Sequence, residues 1–538
     1  MKYILISLLS VIVLQAALSQ SKSPLVFTIQ MNSTAQPIRN FGASGCWFSE
    51  EIGTKWPEDK KKRVAALLFS RDFDNDGKLK GIGLSAFRYN IGAGTTEQGD
   101  SSGIRDTAHR VECFLSPDGS YDWNKQKGYT WMLQQAKNYG VTDLIAFVNS
   151  PPVQFTQNGK GFKFIKDSLG NLREDKYEAY ANFLAEVIKH FDKANLHFNY
   201  ISPVNEPQWD WTGTLGTAKQ EGSPWTNEEI SRVAKAVNTS MISQNLTTKI
   251  LLTEAGMLDH LFTANLPHRS RQIDNLWNPN SALYIGGLSN ATKFVEGHGY
   301  FSENGNTSMI NTRRSLRDTL KKYNGLEYWQ SEYSMLGNGY RDGKTGLLSP
   351  MDHAMWLAKV IHTDLTIGNA TAWHCWNSYE PGNANSPRYF LIVLNPRRAT
   401  NRDTLYTVTK NLWALGHYSL FIRPGMYRVE TGRNDGLADT AVAQHIMIAA
   451  FKDAQEKNLV VNIINYTTED KDASLVLEGI TKGKALRLVK RYVTSAKEGD
   501  DMKPYPINDN KEKGATKGTN QNNVSLPARS ITTFIFSI

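Results

Sequence analysis

A chain of 538 residues, 40% of them apolar, is too long for one ordinary compact core and leaves room for a second, smaller domain. Its formal charge of +9 is spread out, and even the basic concentration from Lys482 to Lys517 alternates with Asp and Glu, so the basic stripe interleaved with aromatics that a nucleic-acid partner requires is missing. Cys46, Cys113 and Cys375, an odd number without metal-ligand spacing, exclude a disulfide framework as the source of stability.

In chain order, the first element is an export signal over residues 1–19. Lys2 supplies the positive start, Ile4 to Leu18 is almost wholly apolar, and Ala17-Leu18-Ser19 offers small residues for cleavage. The run is shorter than the roughly 20 apolar residues of a membrane span. No cysteine follows it for lipid attachment, and no second apolar span appears. The mature chain is therefore expected to be secreted or periplasmic, without stable membrane insertion, and to act as a monomer. Eight Asn-x-Ser/Thr sites bear on the protein only where the host glycosylates exported chains.

Residues 20–36 contain a strand, Leu25 to Met31. Between residues 37 and 420, eight short apolar runs alternate with helix-like segments. The runs are Ile38 to Gly45, Leu84 to Ile91, Asp143 to Asn149, Phe198 to Asn205, Lys249 to Glu254, Phe294 to His298, Leu326 to Glu332 and Thr371 to Asn377. Amphipathic stretches such as Tyr177 to Phe191, Ser231 to Gln244, Thr312 to Tyr323 and Met351 to Leu365 lie between them. Eight strand–helix units predict an α/β fold, a closed (β/α)8 TIM barrel. From residue 421 to 538 the pattern changes to short strands: Tyr427 to Glu430, His445 to Phe451, Leu459 to Ile464, Ala473 to Leu477, Ala485 to Tyr492 and Ile531 to Phe536. These predict a C-terminal β-sandwich side domain that takes in the N-terminal strand. The polar stretch from Lys497 to Asn523 reads as loop.

In such a barrel, chemistry sits at the C-terminal strand ends. Glu206, in Ser202-Pro203-Val204-Asn205-Glu206-Pro207, and Glu332, in Trp329-Gln330-Ser331-Glu332-Tyr333, end the fourth and seventh strands. Two carboxylates facing one bond are the minimum for retaining glycoside hydrolysis, one as acid and then base, the other as nucleophile. Trp209 and Trp211 follow Glu206 and bring aromatic surface beside it. Arg88, inside the second strand, requires a carboxylate partner if buried and favours an ionised nucleophile. His298 and Tyr300, after the sixth strand, are placed to hydrogen-bond a catalytic carboxylate. Trp47, Trp373 and Trp376 come from the first and eighth strand ends, neighbours in a closed barrel, and are candidates for the floor of a sugar subsite. Glu254 is a supporting carboxylate, while Asp210, Glu221 and Glu380 are loop candidates for substrate contact. Asp72-Phe73-Asp74-Asn75-Asp76-Gly77 opens like a calcium loop, but its twelfth position is Gly83 rather than Glu, and it reads as a polar turn. No metal ligand set and no cofactor motif is found.

Several motifs together resemble glycoside hydrolase family 30, in a clan of retaining (β/α)8 glycosidases. They are Asn40 to Gly45, Phe87 to Gly94, Asn149-Ser150-Pro151-Pro152, Ser202 to Trp211, Ser331 to Ser334, and Phe421-Ile422-Arg423-Pro424-Gly425. The resemblance covers nearly the whole mature chain. It implies a barrel joined to a β-sandwich, Glu206 as acid/base, Glu332 as nucleophile, Asn205 on the sugar 2-hydroxyl, and Arg88 and Tyr300 flanking the nucleophile. Trp209-Asp210-Trp211 followed by Gln220-Glu221-Gly222-Ser223 is most similar to the endo-β-1,6-galactanase branch, which implies a polysaccharide or oligosaccharide substrate and cleavage of β-1,6-galactan side chains. β-1,6-Glucanase, xylanase or glucosylceramidase-like activity is the alternative within the family. A catalytically silent, carbohydrate-binding relative is the alternative of another class.

Overall fold

The computed structural model describes residues 24–395, 405–479, 487–507 and 521–538. The export signal expected over residues 1–19, the start of the strand expected over 485–492, and much of the polar stretch 497–523 lie outside the described residues. The first strand, β1 (Leu25–Pro37), leaves the barrel alone and joins the C-terminal sheet. The next eight close into the barrel: β2 (Asn40–Ser44), β3 (Ala86–Asn90), β4 (Asp143–Phe147), β5 (Tyr200–Ser202), β6 (Lys249–Ala255), β7 (Ala291–His298), β8 (Glu327–Tyr333) and β9 (Ala370–Cys375). All neighbours are parallel, and the β2–β9 pairing, Asn40 opposite Ala372, closes the ring.

Strand alternation decides what the barrel interior contains. Ala86, Ile145, Leu251, Trp329 and Ala372 form an apolar layer inside, while Phe87 and Trp373 belong to the larger cluster between strands and helices. Two residues further up β3 from Ala86, on the same face, stands Arg88, 1% exposed. The interior is thus apolar below and charged above, a packed core that carries the site on top.

The helices fall where their apolar spacing predicts. Asn227–Ser243 buries Ile230, Val233, Ala234, Val237 and Met241, one stripe of the 3.6 period. It begins at a capping box, in which Glu229 N donates to Thr226 Oγ1 at 3.2 Å and Thr226 N to the Glu229 carboxylate at 2.8 Å. Pro350–Thr366 opens the same way on Ser349 and Asp352, with Pro350 in its first turn.

In the barrel region of the chain three small strands have no counterpart in the sequence reading: β10 (Tyr379–Pro381), β11 (Ile392–Leu394) and β12 (Tyr406–Val408) form a separate sheet beyond β9. At three residues each they are too short to display a period. Asp72 to Gly77 is a turn, with Asp74 Oδ1 accepting from Asp76 N and Lys78 N.

The side domain is one continuous nine-stranded sheet. Its strands are β1, β13 (Tyr427–Arg433), β14 (Ile446–Lys452), β15 (Asn458–Asn465), β16 (Lys471–Glu478), β17 (Arg487–Thr494), β18 (Lys503–Tyr505), β19 (Gln521–Leu526) and β20 (Ser530–Ser537). β18 and the start of β19 fall within the stretch 497–523 expected as loop; both are edge strands of the sheet, whose polar residues carry no apolar alternation to read. β1 lies antiparallel to β13 and parallel to β16, so the N-terminal strand links the two parts of the sandwich. The sheet curls until Phe27, Ile29 and Val429 share a core with Leu475, Val524 and Phe534. Residues on its other face, among them Met447, Phe451 and Val460, merge with the main barrel cluster. Among the described residues no helix is long and apolar enough to cross a membrane.

Candidate active site

Glu206 follows the short strand β5, which ends at Ser202 rather than at Asn205 as the sequence suggested. The chain leaves the ladder because Glu206 N turns to donate to the carbonyl oxygen of Glu254, at the end of β6, at 2.9 Å. Both residues sit in left-handed backbone, φ +42° for Glu206 and +52° for Glu254. Such conformations cost about 1–3 kcal/mol each and are found where surrounding contacts hold a functional side chain in place. Trp209 N and Trp211 Nε1 both donate to Glu206 O, at 3.2 and 3.1 Å, which fixes the turn from the other side.

Glu332 stands near the end of β8. Its side chain accepts from Arg88 Nη1 at 2.6 Å and from Tyr300 OH at 2.8 Å. Arg88 Nη2 donates to Glu254 Oε1 at 2.8 Å, and the guanidinium lies 4.3 Å from the Phe147 ring centroid. His298 joins all three glutamates. Its Nδ1 is 3.0 Å from Glu206 Oε1 and 3.4 Å from Glu332 Oε1, and its Nε2 is 3.1 Å from Glu254 Oε2. Ser331 Oγ adds a 2.6 Å bond to Glu254.

The charges follow from these contacts. Burial opposes a charged imidazole, but the carboxylates of Glu332, Glu206 and Glu254 outweigh it and raise His298 to about 10. Burial alone would raise Glu254, yet Arg88 and His298 hold it well below the ordinary carboxylate range. Burial pushes Glu206 up, partly offset by His298, and the Glu332 charge pushes it further. Glu296, one layer down on β7, is raised by burial and then by the charge of Glu254. Two cations thus sit among carboxyl groups, of which Glu254 is shifted down while Glu206 and Glu296 are shifted up.

One oxygen each from Glu206 and Glu332 and one ring nitrogen of His298 lie within 4.8 Å of one another. A cation would fit that spacing, but an imidazolium donating from both nitrogens has no lone pair to offer a metal. The two carboxylates thus approach to within 4.8 Å, measured between one oxygen of each. The sequence profile of O-glycosyl hydrolase family 30 matches residues 24–387.

The chain belongs to O-glycosyl hydrolase family 30. An endo-β-1,6-galactanase from Hypocrea rufa is 23% identical over 506 residues, 90% of each chain. Glucuronoxylanase XynC from Bacillus subtilis is 21% identical over 372 residues, 68% of each. The crystal structure of a conserved exported protein from Bacteroides fragilis, 30% identical, superimposes with a TM-score of 0.83 over 95% of this chain and 100% of that one. As a family 30 glycoside hydrolase the protein acts on carbohydrate.

Other residues singled out in this family 30 chain fare differently. Asn205 is buried beside Glu206, its Nδ2 donating to Asn149 Oδ1 at 3.1 Å, while its Oδ1 has no partner. Trp376, half-buried, meets Trp47 edge to face with centroids 5.3 Å apart. Trp47 itself is 5% exposed and carries the His109 ring on one face, centroids 3.9 Å apart, so it buttresses Trp376 rather than offering a face of its own. Trp373 does not belong to the site. It is wholly buried on the outer face of β9, and its Nε1 donates to Asp364 Oδ2 on the helix Pro350–Thr366 at 2.9 Å. The signal was present in the sequence: Trp373 and Trp376 are an odd number of residues apart, which in a strand means opposite faces.

The loop carboxylates are held within the protein. Glu221 is fully buried, accepting from Thr95 Oγ1 at 2.6 Å and from Ala93 N. Asp210 pairs with Lys166 and Arg269, and Glu380 accepts from Asn377 Nδ2 at 2.7 Å. Sequence reasoning passed over Glu296, although it lies two residues before His298 and therefore on the same strand face.

Proposed function

We propose that this family 30 chain is an exported, retaining glycoside hydrolase that cleaves β-1,6-linked galactan by double displacement. The observation that carries the mechanism is the approach of Glu206 and Glu332 with His298 between them. Glu332, oriented by Arg88 and Tyr300, attacks the anomeric carbon. Glu206, protonated, gives its proton to the departing oxygen. The covalent ester removes one negative charge beside Arg88 and His298. With that charge gone, Glu206, left ionised by the first step, is stable as a carboxylate, and as base it takes a proton from the water that attacks the anomeric carbon and releases Glu332 from the sugar. The unpartnered Oδ1 of Asn205 is a free acceptor for a sugar hydroxyl.

Two observations favour β-1,6-galactan. The Hypocrea rufa galactanase aligns over 90% of both chains. The two sequence segments that resemble that branch also form one physical unit. A Cβ on Gly222 would stand 2.3 Å from the Trp211 ring, so only glycine lets that ring lie against the loop, and Glu221 pins the same loop to Ala93 and Thr95. The apolar run from Ile4 to Leu18 and the likeness to an exported Bacteroides fragilis protein support export.

Reducing-end release from de-arabinosylated β-1,6-galactan, β-1,6-glucan and glucuronoxylan tests the reading, with Glu332→Gln as control. Release from galactan alone, absent in the control, is the expected result. Release from only another glycan overturns the substrate, and silence on all three, with binding retained, overturns the enzyme in favour of a binding protein.

A further inference from the structure

Three loops above the barrel are sewn into one rim beside Glu206. Ile104, Phe162 and Ala218, from the loops after β3, β4 and β5, bury one another in a small core of their own. Backbone bonds run between the same loops: Arg105 N to Ala218 O at 2.9 Å, Lys163 N to Trp211 O at 3.0 Å, Gly213 N to Lys163 O at 3.0 Å, and Gly222 N to Gly161 O at 2.7 Å. Lys163 turns its side chain inward, its Nζ bonding Asp167 and, at 2.9 Å, the carbonyl of Leu169. The next two residues are turned out: Phe164 is 47% exposed and Ile165 67%. Phe164 rests edge-on against Phe162, centroids 5.5 Å apart, and Lys166 closes onto Asp210 at 2.8 Å.

A rigid scaffold that holds an aromatic ring in water loses the stability its burial would give. The position of the ring indicates what covers it. Phe164 follows the residue paired with Trp211, whose indole bonds the carbonyl of Glu206. Glu206 is the group that would protonate the departing sugar, so its loop borders the leaving-group side of the cleft.

We propose that Phe164 and Ile165, on the loop whose backbone bonds that of Trp211, form a leaving-group-side subsite that stacks against a sugar ring beyond the cleaved bond. The occupant is the downstream stretch of the same β-linked glycan chain, and the subsite makes the enzyme favour polymer over short substrates. An apolar sugar face covers the exposed ring, and the preformed rim spends little entropy in binding it. This inference rests on the glycosidase reading and adds where the chain lies and why its length matters.

The test compares kcat/KM on de-arabinosylated β-1,6-galactan with that on β-1,6-galactobiosyl fluoride, whose leaving group has no ring. In Phe164→Ala the ratio of the two falls about tenfold, the equivalent of about 1.4 kcal/mol. Phe164→Tyr, which keeps a ring, restores it. Leu347→Ala, which alters an apolar side chain 91% exposed on the loop after β8, leaves it unchanged. A Phe164→Ala ratio equal to the wild type's, or one lowered equally by Leu347→Ala, overturns the subsite. The galactanase reading is judged by wild-type cleavage alone, so the two failures are separate.

Discussion

His298 and Glu254 meet at 3.1 Å, Nε2 to Oε2, and neither side chain reaches solvent. The contact links the two halves of the site. Through Arg88, Glu254 touches the carboxylate of Glu332, and through His298 it touches Glu206. A charge change at one carboxyl is therefore felt at the other through two buried cations, in surroundings where charges interact more strongly than in water.

Removing the imidazolium has a direction that a pH–rate profile reads. His298 lowers the affinity of Glu206 for its proton. In His298→Asn the Glu206 proton is held more tightly, and the alkaline limb of kcat/KM moves to higher pH. A limb that stays in place or moves to lower pH would show that His298 does not act on Glu206 by charge.

The two glutamates separate by leaving group. Glu206→Gln slows hydrolysis of natural linkages by about 10²–10⁴-fold, the usual contribution of a general acid, and much less for a leaving group that needs no proton. Glu332→Gln is inactive on both. Equal losses across leaving groups in Glu206→Gln would rule it out as the acid.

Arg88→Met removes the guanidinium shared by the buried carboxyl groups of Glu254 and Glu332 and leaves His298 as their one charged neighbour. Breaking such a pair costs about 3–5 kcal/mol. Denaturant titration at neutral pH is expected to show that loss, together with inactivity; an unchanged midpoint would contradict the charge balance described above.

Glu221 predicts a stability profile. Burial pushes its carboxyl to about 8, above an unfolded value near 4.5, despite hydrogen bonds from Thr95 and Ala93. A raised folded-state value means a contribution fully present below pH about 4.5 and lost progressively as the pH rises through about 8. His298, raised to about 10, loses its contribution between roughly pH 6.5 and 10. Melting temperature should thus fall on the alkaline side, and Glu221→Gln should flatten the part of that fall below pH 8.

Trp373 and Trp376 give opposite phenotypes. Trp373→Phe removes the indole donor to Asp364, which also bonds Arg313 Nε at 2.8 Å, and costs about 1–3 kcal/mol of stability with KM unchanged. Trp376→Ala raises KM with little effect on melting. The reverse assignment of the two effects would place Trp373 in the cleft.

The sequence by itself determined the repeat of strand and helix, and with it the barrel, because the 2-residue and 3.6-residue periods are local properties of the chain. It also marked Glu206, Glu332, Arg88 and His298, since polar residues at the ends or on the inner face of apolar strands stand out against their neighbours. It placed the N-terminal strand with the C-terminal ones, although the partners lie about 400 residues away. What it left open depends on which side chains meet across the barrel. That Glu254 is shared by Arg88 and His298, that Trp47 is covered by His109, and that the backbone of Lys163 bonds that of Trp211 are facts of closure and loop contact. Trp373, expected with Trp376 in a sugar subsite, is buried against Asp364 because strand parity, and not nearness in sequence, sets the side a residue takes. Charge, too, depends on packing: Glu206 and Glu254 are the same residue type at successive strand ends, yet Arg88 and His298 hold Glu254 well below the ordinary carboxylate range while burial shifts Glu206 upward.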